Sequence, residues 1–162
     1  MPELVCGFTG YRTEKLPYPE SDPRFYALYQ RIRETVYALC GQGYTRFISG
    51  FAQGCDQLFA LAVIRAKENY PHIILEAAIP FAGQADRWER SKRLRYSRLL
   101  ALCDVRTCIS KQYFQGCYHK RNRYIVQHSD CMLAVYDGQT GGTAWTLAYA
   151  RAQGVPVRQI LP

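Results

Sequence analysis

"CMLAVYDGQTGGTAWTLAYARAQGVPVRQI", residues 131–160, decides the fold. The opening "CMLAVY" is an apolar run with the composition of a buried strand. Asp137 and Gly138 then turn the chain, and Gly141, Gly142 and Thr143 lead into the helical stretch "TAWTLAYARAQG". The closing "PVRQI" is a second strand. Strand, helix and strand in that order make a crossover unit whose two strands lie parallel in one sheet with the helix on its face.

The same alternation runs back to the amino terminus. "LVCGF", residues 4–8, is a short buried strand. The spacing of Phe25, Leu28, Ile32, Val36 and Leu39 predicts a helix over about 23–40, stopped by Gly41 and Gly43. "TRFIS" is the second strand, "CDQLFALAVIRAKEN" the helix after it, closed by Asn69 and Pro71, and "HIILEAAI" the third strand. "DRWERSKRLRYSRLLALC" predicts a helix over about 86–102, "DVRTCI" a fourth strand, and "QGCYHKRNRYIVQHS" a short helix before the fifth. The expected class is α/β: a mainly parallel sheet covered on both faces, a three-layer sandwich forming a single domain over residues 1–162.

Composition narrows the partners. With 162 residues and 48% hydrophobic content the chain can bury one substantial core. It has no apolar run long enough to cross a membrane, and "MPELVCGFTG" lacks the succession of a secretory signal, so a cytoplasmic chain with no membrane partner is expected. The seven cysteines are scattered through apolar runs, as reduced core thiols are, and no CxxC pair exists. Neither a metal nor a cofactor is expected. A formal charge of +8 favours anionic partners, nucleotides or nucleic acid phosphates alike. Of the 13 tyrosines, Tyr26, Tyr29 and Tyr37 recur at helical spacing and read as packing residues.

In an open parallel sheet, ligands sit beyond the carboxyl ends of the strands. The strands exit here into "GFTGYR", "SGFAQGCD", "PFAGQADRW", "SKQYFQGCYHKRN" and "YDGQTGGT", where glycines and polar groups cluster. At the first exit Gly10 permits close backbone approach and Arg12 offers a forked cation; the plainer reading is a turn and a solvated arginine. At the second, Ser49 and Gly50 follow the strand, and Asp56 either orients a ribose hydroxyl or water, or serves only the electrostatics of its helix. Arg87 is the ligand candidate of the third exit. The cations from Arg87 to Arg98 otherwise make a solvated face or a nucleic acid surface, and Trp88 either stacks on a base or, the plainer reading, anchors the helix. At the fourth exit, Tyr118, Arg121 and Asn122 supply an aromatic edge, a bidentate cation and a carboxamide, the equipment for a phosphorylated, base-containing ligand or equally the polar side of a surface helix. At the fifth, Asp137 and Gly138 turn the chain, and Gly141, Gly142 and Thr143 present amides at a helix start, where a phosphate is stabilised unless Thr143 caps the helix itself. Asp130, at the opposite end of its strand, reads as a structural polar contact. The loop is neither a P-loop nor a GxGxxG fingerprint.

Taken together, "GFTGYR", "SGFAQGCDQLFA", "IPFAGQADRW", "RNRYIVQHSDCMLAVYDG" and "GGTAWTLAYA" resemble the bacterial SLOG-type Rossmann-like proteins, in an order that spans nearly the whole chain. The resemblance implies a Rossmann-like sandwich. That superfamily includes nucleoside monophosphate phosphoribohydrolases that activate cytokinins, the DNA-processing A protein that binds single-stranded DNA, and members thought to sense nucleotides. By position it implies ligand roles for Gly10, Arg12, Ser49, Gly50, Asp56, Gly141, Gly142 and Thr143. The phosphoribohydrolases carry a PGGxGTxxE motif with a catalytic glutamate; here "DGQTGGTAWTL" has Thr146 or Leu147 in its place. Tyr11 stands where close relatives are expected to have histidine, and a tyrosine near its ordinary pKa of about 10 is a poor general base.

The expected function is therefore binding or sensing of a nucleotide or nucleotide-derived phosphorylated small molecule. The alternatives are hydrolysis of an N-glycosidic or phosphate bond, with Asp56 or Asp137 activating water, and single-stranded nucleic acid binding through the basic 87–98 stretch. A homodimer is the working expectation.

Overall fold

The computed structural model describes residues 2–162. Its elements are β1 (Leu4–Gly10), α1 (Pro23–Gly41), β2 (Tyr44–Ser49), α2 (Cys55–Ala66), β3 (Ile74–Ile79), α3 (Arg90–Ala101), β4 (Val105–Cys108), α4 (Cys117–Gln127), β5 (Cys131–Val135), α5 (Gly142–Ala152) and β6 (Val157–Ile160). One turn of 3-10 helix, Thr13–Lys15, follows β1. The six strands form one sheet in the order β4-β3-β2-β1-β5-β6, and every neighbouring pair is parallel. The order reverses at β1, which lies between β2 and β5, so the crevice expected of such sheets opens above β1.

Alternation along the strands builds the two outer layers. Cys6, Phe8, Phe47, Leu75, Leu133 and Val135 face one side and pack with Leu28, Ile32, Val36 and Leu39 of α1 and Phe59, Ala62 and Val63 of α2. Phe8 stacks on Phe59 at 4.6 Å. The intervening residues Val5, Ile48, Ala78 and Met132 face the other side, beneath Ile125 and Val126 of α4 and Ala150 of α5. α1 starts where Asp22 accepts the Arg24 amide at 2.8 Å with Pro23 in its first turn, a site where proline's missing N–H costs nothing.

Beneath α4 the apolar face is interrupted by Glu76, which four donors from three elements saturate. Arg46 Nε and Nη2 reach Oε1 at 2.9 and 2.6 Å, while Thr107 Oγ1 and Tyr124 OH donate to Oε2 at 2.8 and 2.5 Å. Burial pushes the Glu76 carboxyl up, but the hydrogen bonds from Tyr124, Arg46 and Thr107 outweigh it and hold it below the ordinary glutamate value.

The helix expected from residue 86 begins at Arg90 instead. Residues 83–88 coil through successive turns, with Asp86 N donating to Gly83 O and Trp88 N to Ala85 O, both at 3.0 Å. Trp88 sets its edge against Tyr96 at 5.3 Å, anchoring the turn to the helix it precedes. Asp130 closes the far end of the sheet: its Oδ2 accepts the Val5 amide, and its own amide donates to Val5 O, both at 2.8 Å. All seven cysteines are free thiols, four of them buried. Among the described residues no helix is long and apolar enough to cross a membrane.

Candidate functional site

The ends of β1, α2, α4 and α5 enclose a cavity of about 430 Å³. Its floor is the last turn of the β1 backbone, Phe8 to Gly10, and its walls come from the loop Tyr11–Lys15, from Ala52 and Asp56, from α4 and from the start of α5. Three cations enter it: Arg12, Lys15 and Arg121. Two carboxylates do so, Glu14 and Asp56.

Arg121 is the buried one, 4% exposed. Its Nη1 donates to Gly50 O at 2.8 Å and Ala78 O at 3.3 Å, and its Nε to Asn122 Oδ1 at 2.9 Å. These acceptors are neutral, and among the described residues no carboxylate lies within 4.0 Å of the guanidinium. Burial pulls Arg121 below the usual arginine value, and Asp56 counters only in part. Asp56 itself is pushed up by burial, against Arg121, the Ala52 amide at 3.2 Å and Arg12. A buried cation without a paired anion is costly, and the cavity beside it is where a counter-charge can sit.

Gly50 makes this arrangement possible. A Cβ there would collide with Arg121 Nη1 and lie 2.7 Å from Arg121 Cζ and 2.9 Å from Asp56 Oδ2. Ser49, fully buried, serves the same turn: its Oγ donates to Asp56 O at 2.8 Å and accepts the Phe51 amide at 3.2 Å. Phe51, fully buried, holds a left-handed φ of 57°, a conformation a bulky residue rarely adopts, in the same turn behind the cavity. Ser49 and Gly50 thus stand behind the cavity wall, not in it.

At α5 the first helical bond runs from Trp145 N to Gly141 O at 3.0 Å, and no side chain caps the end. The hydroxyl of Thr143 therefore leaves the helix start uncapped, and Gly142 and Thr143 line the cavity at the partial positive charge of a helix amino terminus. Gly141 precedes them, with the Lys15 ammonium against it and Lys15 Nζ donating to Thr140 O at 2.5 Å. Asp137 lies outside the cavity, held by the Tyr11 hydroxyl at 2.6 Å.

Of the residues expected at the strand exits, Gly10, Arg12, Asp56, Arg121, Asn122, Gly142 and Thr143 line this cavity together. Arg87 does not; it lies in a neighbouring cavity with Trp88 and Tyr113. Lys92 and Arg95 of the basic α3 stretch meet Glu20 at 3.5 and 3.0 Å. Lys15 was not among the expected ligands. Its only signal in the sequence is its place in the proline-rich segment that follows the first strand.

A wholly parallel sheet with a cationic cleft at its switch point defines a Rossmann-like α/β protein. The chain belongs to the YspA SLOG family, whose pattern it matches over residues 6–156. It is 33% identical over 149 residues to a UPF0398 protein of Shouchella clausii, covering 89% of this chain and 79% of that one. Its fold is also that of DNA processing protein A from Streptococcus pneumoniae, with a TM-score of 0.64 at 17% identity over 97% of this chain and 50% of that one. The Helicobacter pylori DNA processing protein A, which has a described single-stranded DNA binding mode, gives a TM-score of 0.65 at 15% identity, over 96% of this chain and 64% of that one.

Proposed function

We propose that the protein binds or senses a nucleotide or nucleotide-derived phosphorylated small molecule in the cleft above β1. One observation carries the reading: a buried guanidinium with no paired carboxylate, Arg121, shares a cavity with Arg12, Lys15 and the uncapped start of α5. A phosphate there meets fixed amides, a helix dipole and three cations, without any reorganisation of the turn behind Arg121. Asp56, in the same cavity and close to Arg121, would accept from a ribose hydroxyl.

A thermal-shift panel of nucleotides, nucleotide sugars and other phosphates tests this. A ligand at a hundred times its Kd stabilises by about 2.7 kcal/mol. Arg12→Ala and Thr143→Val should each reduce that shift. If no phosphate compound raises the melting temperature, or if both variants respond as the wild type does, the cleft is not the site.

A second reading rests on Asp56. Its carboxyl is buried in the cleft and pushed up by that burial, the direction in which a general acid-base carboxyl departs from an ordinary aspartate. An assay for base or phosphate released from a bound ligand separates hydrolase from sensor. The nucleic acid reading is weaker, because Lys92 and Arg95, two cations of the stretch it needs, are engaged with Glu20.

A further inference from the structure

Tyr118 is the partition between two cavities. Two cations of the cleft lie over its ring, Arg12 Cζ at 5.0 Å and Arg121 Cζ at 5.7 Å from the centroid. Phe81 meets the same ring edge-on at 6.1 Å, and Phe81 in turn meets Tyr113 at 5.5 Å. Beyond Tyr118 these rings and Trp88 border a second cavity of about 880 Å³. The phosphate cleft and the aromatic basin are thus separated by the width of one phenol.

The basin is built for a flat, polar ring. Aromatic side chains at right angles to one another leave ring faces and edges open to a third ring, and Arg87 and Lys111 at the rim add cations. In its wall Gln84, 5% exposed, commits its Nε2 to Gly50 O at 3.3 Å and Tyr96 OH at 3.4 Å. That leaves Gln84 Oε1 buried with no donor. Gln84 thus braces the wall of the basin against Gly50 and Tyr96. Gly50 also joins the basin to the cleft, because its carbonyl accepts from both Gln84 and Arg121.

We propose that the aromatic basin beyond Tyr118 receives the heterocyclic base of the ligand whose phosphate occupies the cleft, so that the protein selects nucleoside phosphates over sugar phosphates. This rests on the cleft reading above and adds a base subsite of its own residues, Phe81, Trp88, Tyr113 and Tyr118.

The probes are the four ribonucleoside 5′-monophosphates, ribose 5-phosphate and inorganic phosphate, titrated calorimetrically into the full chain. In a Trp145→Phe background Trp88 is the only tryptophan, and its fluorescence reports a ring entering the basin. At least one nucleoside monophosphate should bind about tenfold more tightly than ribose 5-phosphate and quench Trp88, which ribose 5-phosphate and inorganic phosphate should not. Tyr113, 62% exposed, can be truncated with little risk to folding. Tyr113→Ala should remove about fivefold or more of the nucleotide preference and leave ribose 5-phosphate affinity as it was. Equal affinity for nucleotide and sugar phosphate, or a preference that survives both Tyr113→Ala and Phe81→Ala, overturns the base subsite and leaves the phosphate cleft standing. Failure of every probe to bind overturns the cleft reading and the subsite with it.

Discussion

The Tyr11 hydroxyl donates to Asp137 Oδ1 at 2.6 Å and accepts the amides of Asp137 and Gln139 at 3.1 and 3.0 Å. One buried phenol therefore ties the end of β1 to the loop that presents Gly142 and Thr143. Tyr11 is a positioning residue for that loop: its hydroxyl is fully committed and its pKa is raised, burial being the larger cause and the Asp137 bond the next.

Tyr11→Phe should cost about 1 kcal/mol, since the two freed amides can turn to water. Hydrogen exchange at residues 137–141 should quicken, and phosphate affinity should fall with it. The hydrogen bond from Tyr11 holds Asp137 below the ordinary aspartate value. A depressed carboxylate contributes stability above its unfolded pKa of about 3.9 and loses it as pH falls. The gap between wild type and Tyr11→Phe in urea unfolding should accordingly shrink below about pH 4. A gap that stays constant into acid contradicts the bond.

Gly50→Ala drives a methyl into the space between Arg121 and Asp56. Overpacking of this kind costs about 1–3 kcal/mol, and here it also displaces the buried cation from the cleft. Urea midpoint and phosphate affinity should fall together. A variant that loses neither shows that Arg121 can be accommodated elsewhere.

Glu76→Gln leaves Arg46 without its anion beneath α4. Removing one partner of a buried pair costs roughly 3 kcal/mol at the low end of such cases, appropriate because Arg46 keeps partial exposure. The native Glu76 lies below its unfolded value of about 4.3, so its contribution is complete above that pH and disappears in acid. Denaturation curves of wild type and variant should converge as pH is lowered through 4, and curves that remain parallel tell against the network.

Cys6 and Cys131 are register partners on β1 and β5. The Cys131 thiol is lowered to about 7, its neighbour Cys6 being the largest cause and Tyr44 and Arg158 adding to it, whereas Cys6 is pushed well up. Iodoacetamide followed by peptide mass analysis should label Cys131 with a midpoint near pH 7 and ahead of Cys6. Cys6→Ala should move that midpoint upward; an unchanged midpoint removes Cys6 as the cause.

Strand and helix alternation was legible because each strand is a short β-branched or apolar run and each helix a periodic one, so the stretch 131–160 already contains the unit that the sheet repeats. The start of α3 was not, because residues 84–88 are helix-compatible, and it is tertiary contact, Trp88 against Tyr96 and Gln84 with Gly50 O, that accompanies their separate turns. At the site, glycines and cations at strand exits pointed to the correct end of the sheet. They could not separate Arg121, buried in the wall, from Arg87, which enters the other cavity, since that depends on which face of the sheet each helix covers. Ser49 reads as a ligand in sequence, yet its hydroxyl is spent on the turn that carries Phe51 and Asp56. Lys15 is one lysine in an irregular loop, placed only by the fold of that loop over the start of α5.

Calorimetric titration of a nucleoside monophosphate into the wild type and into Arg12→Ala with Lys15→Ala, at low and high salt, tests the anion cleft most directly. Saturable binding to the wild type is predicted, weakened about tenfold or more in the double variant and less salt-dependent there. Equal affinity in the two proteins, or no binding to the wild type, contradicts the assignment of this cleft as the phosphate site.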